Sequence, residues 1–253
     1  MTRAHDAKTT VWFVSDVHLA LGDQAYLEQF LAFLAAAQQQ AQQLYIVGDL
    51  FEFWIGDRQA DIEFYTPLFE RFRELVEKGT HIGVIHGNRD FLMGSAFTDV
   101  GCELLPDEIT LQLEGLGVHL SHGDQFCIHD HSYLRARVIM RSKPIRWLAA
   151  LLPGAVGHGL ARCYRGISER KKQKKLQATG NRFHTVKDGI EAELARSDHD
   201  LILCGHIHYY ADQTLRVGGR DRRVLTTGAW EESPNYVAWT DGKIGLHRFV
   251  AGS

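Results

Sequence analysis

Close cysteine pairs are missing from this chain. Cys102, Cys127, Cys163 and Cys204 lie scattered through 253 residues, which fits neither a disulfide framework nor a zinc finger and leaves four packed or surface thiols. Also missing is the run of about 20 apolar residues that a membrane-spanning helix requires; the longest weakly polar stretch, residues 147–161, is broken by Pro153 and His158. The opening MTRAHDAKTT holds no hydrophobic signal segment, so a cytosolic start is expected. No internal repeat is visible, and the one biased segment, AQQQAQQ, reads as a solvated helix face and loop. Net charge is low too, −3 from 28 Lys+Arg against 31 Asp+Glu. With 45% hydrophobic and 23% charged residues, the chain is no disordered tail, collagen-like repeat or coiled coil. Its length allows one large α/β domain or two small ones, at roughly 100 to 200 residues per domain.

What is present is a set of apolar, β-branched-rich runs, each ending abruptly in polar or small residues. They are VWFVSDVH from Val11, LYIVGD from Leu44, HIGVIHGNRD from His81, VHLSHGD from Val118, DLILCGHIH from Asp200 and RVLTTGAW from Arg223. Near-continuous apolar runs are the pattern of strands buried on both faces. Residues 24–43 and 62–78 carry apolar side chains at three and four spacing and predict helices. Strand and helix alternating in this way predict a largely parallel sheet with helices on its faces. A more antiparallel C-terminal part follows, with short strands near Thr214, Val224, Tyr236 and Ile244. In such sheets ligands bind beyond the carboxyl ends of the strands, where residues distant in sequence converge.

Those ends offer Asp16 and His18, Asp49, Asn88, His122, and His206 with His208. Two carboxylates, one amide and four imidazoles are ligands for hard-to-borderline divalent metals. Seven groups exceed the needs of one tetrahedral ion and suit two ions sharing a bridge. In Asp-x-His and His-x-His the alternate side chains of an extended backbone project to one side. Any one of these pieces alone would read as an ordinary turn or surface pair; their joint occurrence at successive strand ends points to a metal site. Among the other histidines, His86 reads as a strand residue supporting the site. His5, His119, His129, His131, His158, His184, His199 and His247 have no such placement and read as structural or solvated.

In this order DxH, GD, GNxD, HGD and GHxH resemble the calcineurin-like metallophosphoesterase superfamily over residues 11–232. The resemblance implies a four-layer α/β/β/α sandwich. It assigns Asp16, His18, Asp49 and His208 to a first ion and Asp49, Asn88, His122 and His206 to a second, with Asp49 bridging. Two ions about 3.5 to 4 Å apart lower the pKa of a bridging water and clamp the oxygens of an in-line phosphoryl displacement, so no covalent enzyme intermediate is needed. Arg89 stands in GNRD where many members carry a histidine that protonates the leaving group. Arginine is a poor acid, but its planar fork suits phosphate oxygens, so a leaving group that departs as an anion fits better than an alkoxide. Asp90 is expected to orient Arg89 or, failing that, to cap the next helix.

GDLFEFWIGD from Gly48, IHGNRDFLMG from Ile85, SHGD from Ser121 with Cys127 and Asp130 following, and TTGAW near the end resemble, more closely, the UDP-2,3-diacylglucosamine hydrolases of lipid A synthesis. That resemblance implies pyrophosphate hydrolysis to UMP and 2,3-diacylglucosamine 1-phosphate, with Mn2+ as the usual activator and water attacking the phosphorus nearer uridine. It makes Arg89, His206 and Asp49 catalytic. Substrate contacts fall on Asn88, Arg89, Asp130, Ser168, Lys172, Lys175 and His206, with Lys172 departing from an asparagine in the family pattern. A different nucleotide-linked or lipid pyrophosphate is the alternative substrate. A non-catalytic module gripping RNA would need stacking aromatics that are not visible, and no nucleic-acid partner is expected.

The ligand-bearing positions lie 33 to 39 residues apart up to His122, but 84 separate His122 from His206. In that gap residues 131–187 hold 14 Lys+Arg and one acidic residue, Glu169, a net of +13, leaving 14 basic and 30 acidic groups, or −16, in the other residues. Bulky aliphatics and Trp147 alternate with the arginines there. A solvated charged face is the plainer reading, yet the mixture favours an amphipathic helical cap at a membrane surface or over acyl chains. Residues 1–130 and 188–253 would then form the core and 131–187 the cap, in a protein peripheral to the cytoplasmic side of the inner membrane.

Overall fold

The computed structural model describes residues 2–5, 9–142, 144–145 and 183–251. In chain order its elements are β1 (Thr2–His5), β2 (Val11–Val14), α1 (Gln24–Gln40), β3 (Gln43–Val47), α2 (Thr66–Glu77), β4 (His81–Ile85), α3 (Ser95–Thr98), β5 (Glu103–Leu104), β6 (Glu108–Leu113), β7 (Leu116–Ser121), α4 (His131–Met140), α5 (His184–Arg196), β8 (Leu201–Cys204), β9 (Ala211–Val217), β10 (Arg220–Thr226), β11 (Asn235–Thr240) and β12 (Lys243–Arg248).

The strands form two six-stranded sheets, ordered β12-β11-β2-β3-β4-β5 and β1-β6-β7-β8-β10-β9. The apolar runs expected in one sheet are thus divided between two. Within each, the expected parallel pairing holds: β2, β3, β4 and β5 are parallel neighbours, and β8 pairs in parallel with both β7 and β10. The antiparallel C-terminal strands are present as the β9–β10 and β11–β12 hairpins.

Side-chain alternation explains the layers. Val11 and Phe13 on β2, Tyr45 and Val47 on β3, and Leu201 and Leu203 on β8 share one buried cluster between the sheets. Their neighbours Trp12, Val14, Leu44 and Ile46 face outward and pack with Leu27, Phe30, Phe33 and Leu34 of α1 and Leu68, Phe72 and Leu75 of α2. On the other side Ile202, Cys204 and Val224 pack with Val186, Ile190 and Leu194 of α5. The result is the α/β/β/α sandwich that the family resemblance implied. A run buried on both faces looks alike whether sheet or helix covers it, so the apolar pattern alone did not divide the strands.

The first two helices fall within their expected spans. Asp23 caps α1 by accepting from the Tyr26 backbone N–H at 3.1 Å, and Pro67 opens α2 where its missing N–H costs nothing. Helix α5 and strand β6 lie outside the spans that the apolar pattern marks. Gly189 interrupts α5 for a packing reason: a Cβ there would fall on the backbone of Phe126, in the 3₁₀ turn Asp124–Phe126. Because Phe183 and Val186 are buried in the α5 layer, the last residues of the 131–187 segment pack with the core. Cys102 and Cys204 are buried and Cys127 half-buried, all free thiols; Cys163 lies outside the described residues.

Phe33 is fully buried and meets Trp12, Trp230, Tyr236 and Phe249 ring to ring. Phe33→Ala is expected to lower the unfolding free energy by about 3–5 kcal/mol, read as a lower urea midpoint at unchanged slope.

Candidate metal centre

All seven predicted donors come to one place at the carboxyl ends of β2, β3, β4, β7 and β8. Backbone contacts set the spacing: Asp16 N–H donates to Gly48 O at 3.1 Å, His18 N–H to Asp49 O at 3.0 Å, and Gly205 N–H to His122 O at 2.9 Å. The chain bends sharply as it leaves these strands. Among the described residues seven non-glycine residues have positive φ, and five of them are Asp16, His18, Asp49, His206 and His208. Asp and His tolerate this left-handed region better than most side chains, though it still costs on the order of 1 kcal/mol each.

Two glycines permit the close approach. A Cβ at Gly87 would land on Asp49 Oδ1 and its backbone N, and one at Gly205 on Asp16 Oδ2 and Ser15 Oγ.

Two groups of donors result. Asp16, His18 and His208 present ligand atoms within 4.8 Å of one another, and so do Asp16, Asp49 and His122. The Nε2 atoms of His18 and His208 are 2.9 Å apart, with Asp16 Oδ1 3.3 Å from the latter. Asn88 Oδ1 lies 3.1 Å from His122 Nε2 and 2.8 Å from His206 Nδ1, joining both rings to the second group. Asp16 belongs to both groups in this geometry, whereas the family resemblance gives the shared position to Asp49.

The donor set fits divalent cations, and the His122 ring shows it. Its Nδ1 lies 3.0 Å from the carbonyl of Val47. A carbonyl can only accept, so the hydrogen sits on Nδ1 and the lone pair of neutral His122 is on Nε2, facing Asn88 and the carboxylates. His86, expected as a strand residue, lies one residue past the end of β4, with its Nε2 3.0 Å from Met93 O.

Charge adds to the fit. Asp16 and Asp49 are 0% and 2% exposed. Burial alone would raise the Asp16 pKa, but His208, His122 and His18 outweigh it and hold the carboxyl well below the usual range. His206 N–H and Ser15 Oγ also donate to it. The His122 pKa is raised: burial opposes its charge, and Asp49, Asp16 and Asp124 overcome that. Anionic carboxylates and imidazoles packed this densely favour cations between them.

Arg89 is placed as the sequence suggested but held differently. Its Nη1 pairs with Glu52, its Nε is 3.7 Å from Asp49 Oδ2, and its backbone N–H donates to Asp49 Oδ1 at 2.9 Å. Glu52, not Asp90, therefore orients the guanidinium. Asp90 is fully buried and accepts from the N–H groups of Gly87, Asp49, Leu50 and Phe51, tying the two ligand-bearing turns together. Burial and the nearby Asp49 charge push its pKa up to about 7.

Asp130 caps α4, accepting from Ser132 Oγ at 2.8 Å and the Tyr133 N–H at 3.1 Å. The helix it starts bears on the site, since the Tyr133 ring stacks on His206. Asp124, the last residue of SHGD, carries no signal of its role in the sequence. Buried, it accepts from Tyr133 Oη and Arg137 Nε, both at 2.6 Å. Burial would raise its pKa, but His122, His206, Arg137 and Arg141 hold it low. Arg137 also bonds Asp107, and Arg141 bonds Asp107 and the Gly87 carbonyl. These two arginines, counted with the basic segment, fasten α4 to the sandwich. Ser168, Lys172 and Lys175 lie outside the described residues.

The sequence signature of the calcineurin-like phosphoesterase family matches residues 9–210, and the chain belongs to that family. It is 36% identical over 223 residues, 88% of this chain and 91% of the relative, to a UDP-2,3-diacylglucosamine hydrolase of Pseudomonas paraeruginosa. To the protein of the same name from Azotobacter vinelandii it is 35% identical over 94% of this chain and 97% of the relative. A solved dimetal phosphatase from Danio rerio aligns over 96% of both chains at 10% identity and a TM-score of 0.47.

Asp90→Ala leaves four backbone donors without their acceptor and loosens the turns carrying Asp49 and Asn88. Metal retention is expected to fall about 10- to 100-fold, read by titration of the stripped protein.

Proposed function

We propose that this chain hydrolyses the pyrophosphate of UDP-2,3-diacylglucosamine to UMP and 2,3-diacylglucosamine 1-phosphate, with Mn2+ as the bound metal. The observation that carries this reading is the pairing of the seven-donor centre with Arg89 on Glu52, in a chain 36% identical to a protein of that activity over 88% of its length.

Two divalent ions, when bound, make water nucleophilic at neutral pH and offset phosphoryl charge. The chain's own residues do the rest. Asp16, His18, Asp49 and His208 would hold one ion and Asp49, Asn88, His122 and His206 the other, the assignment that the family resemblance implies. Asn88 and His206 also face the phosphate oxygens. Water adds at the phosphorus nearer uridine, and the P–O bond to the sugar-linked phosphate breaks. Arg89 meets the negative charge that grows on the leaving phosphate, which needs no proton from an acid at that position. Glu52 holds the guanidinium in place and leaves its remaining N–H groups for the substrate.

Within residues 131–187 the basic, apolar part ahead of Phe183 would supply the lipid end of the site, with Asp130, Ser168, Lys172 and Lys175 as its substrate contacts, the last three outside the described residues. Val138 and Ile139 on α4 are 70% and 60% exposed, and the segment carries +13, a combination suited to acyl chains and anionic headgroups. No helix among the described residues is long and apolar enough to cross a membrane. A peripheral position on the cytoplasmic side of the inner membrane fits these properties.

Purified protein with Mn2+ should release UMP from UDP-2,3-diacylglucosamine faster than from other nucleotide-linked or lipid pyrophosphates; no UMP release would overturn the reading. Asp49→Ala should abolish turnover and lower metal content, as measured by product release and metal analysis. Replacing Lys172 and Lys175 together should raise KM for the lipid substrate several-fold more than it lowers kcat. An equal effect on a small soluble phosphodiester would place those lysines in the chemistry instead.

A further inference from the structure

A second set of donors converges on the outer face of the sheet that carries β7 and β8, under the end of α5. His119 on β7, Glu193 in the last turn of α5 and His199 in the following connection present ligand atoms within 4.8 Å of one another. His119 is 4% exposed and Glu193 6%, and the two imidazole rings lie 5.0 Å apart. The Glu193 carboxylate divides its oxygens. Oε2 pairs with Arg196, while Oε1 turns toward the rings, 3.8 Å from His199 Nε2.

A plain core histidine would have its ring nitrogens satisfied. Among the described residues His119 Nε2 has no hydrogen-bond partner. Glu108 Oε2 lies 3.7 Å away, beyond hydrogen-bond distance, on a side chain 55% exposed. A buried imidazole nitrogen without a partner is costly. Burial pushes the His119 pKa down to about 4, against the opposing charge of Glu193 and with help from His199 and Arg196, so the ring is neutral near pH 7 and its lone pair is available. Buried Arg222 donates to the carbonyls of Ser197 and His199 and holds the connection that presents the second ring.

We propose that His119, Glu193 and His199 form a site for one divalent transition-metal ion of the zinc class, separate from the centre between the sheets. Two imidazoles and one carboxylate suit borderline ions better than Mg2+ or Ca2+. Glu108 stands near enough to supply a fourth donor by a rotamer change. The site also lies at the C-terminal end of α5, where the helix dipole favours a cation. A bound ion would clip the end of α5 and its connection to β8 onto β7, which makes its role structural.

The test compares untagged wild-type protein with His199→Gln and Glu193→Gln after chelator stripping and dialysis against Zn2+, with bound metal counted by mass spectrometry. Each variant is expected to hold one Zn2+ per chain fewer than wild type. His199→Gln changes a partly exposed ring, so it should keep the wild-type circular dichroism spectrum and turnover with Mn2+. Titration with Co2+ should give visible absorption of a low-coordinate site in wild type that is lost in both variants. Equal metal counts in wild type and His199→Gln, or identical Co2+ spectra, would overturn the proposal. Because the readout is a difference between wild type and variant, it is independent of whether the centre between the sheets takes two ions and of which substrate it acts on.

Discussion

Asp16 and Asp49 are carboxylates withdrawn almost completely from water, and most of the surrounding architecture makes their ionised forms tolerable. A carboxylate in such a position would ordinarily take up a proton. Here the N–H of His206 and the hydroxyl of Ser15 donate to Asp16, the N–H of Arg89 donates to Asp49, and four imidazoles crowd around the pair. Bringing that many donors together requires five strand ends from two sheets, sharp left-handed exits, and glycines where a Cβ would strike a ligand. Residues at positive φ and packed polar groups both cost stability. The cost is borne by a sandwich with three large apolar clusters, and cations between the carboxylates would return part of it.

The Asp90 carboxylate is the next most exacting demand. It gathers backbone N–H groups from the turn after β3 and from the turn after β4, so two loops 40 residues apart in sequence are tied to one carboxylate. Its pKa near 7 follows from burial beside Asp49, which means the position is in electrostatic tension with the site it braces. Positive charge placed at Asp49 relieves that tension, so metal binding and the rigidity of both turns are coupled through Asp90.

How much of this the sequence carried depended on residue type and spacing. The candidate metal donors were legible because Asp, Asn and His at strand ends are unusual in number and order. The parallel strands were legible because apolar runs mark burial on both faces. The division into two sheets was not, since a run packed against a sheet looks like one packed against a helix. Nor were Glu52 and Asp124 legible as partners: each sits inside a motif whose other residues drew the chemical argument, and a carboxylate's partner is set by folding. Asp90 was expected to serve Arg89, its neighbour in sequence, but its side chain turns the other way, into the backbone donors. His119, Glu193 and His199 sit on three separate elements, and only the packing of α5 on the sheet brings them together.

The net charge of −3 conceals a body at −16 and a segment at +13, and the structure gives part of that segment a fixed place. Arg137 and Arg141 do not face outward as a free cationic surface; they reach Asp107, Asp124 and the carbonyl of Gly87. Gly87 adjoins Asn88, Asp124 follows His122 by two residues, and Tyr133 lies on the His206 ring. Helix α4 is therefore fastened to the turns that carry three of the seven candidate donors. Whatever this helix contacts on its exposed Val138 and Ile139 side is held in fixed register with the donor cluster. A substrate long enough to touch both would have its reactive phosphorus positioned by binding at its far end, which is how binding energy remote from the reacting atoms is turned into rate.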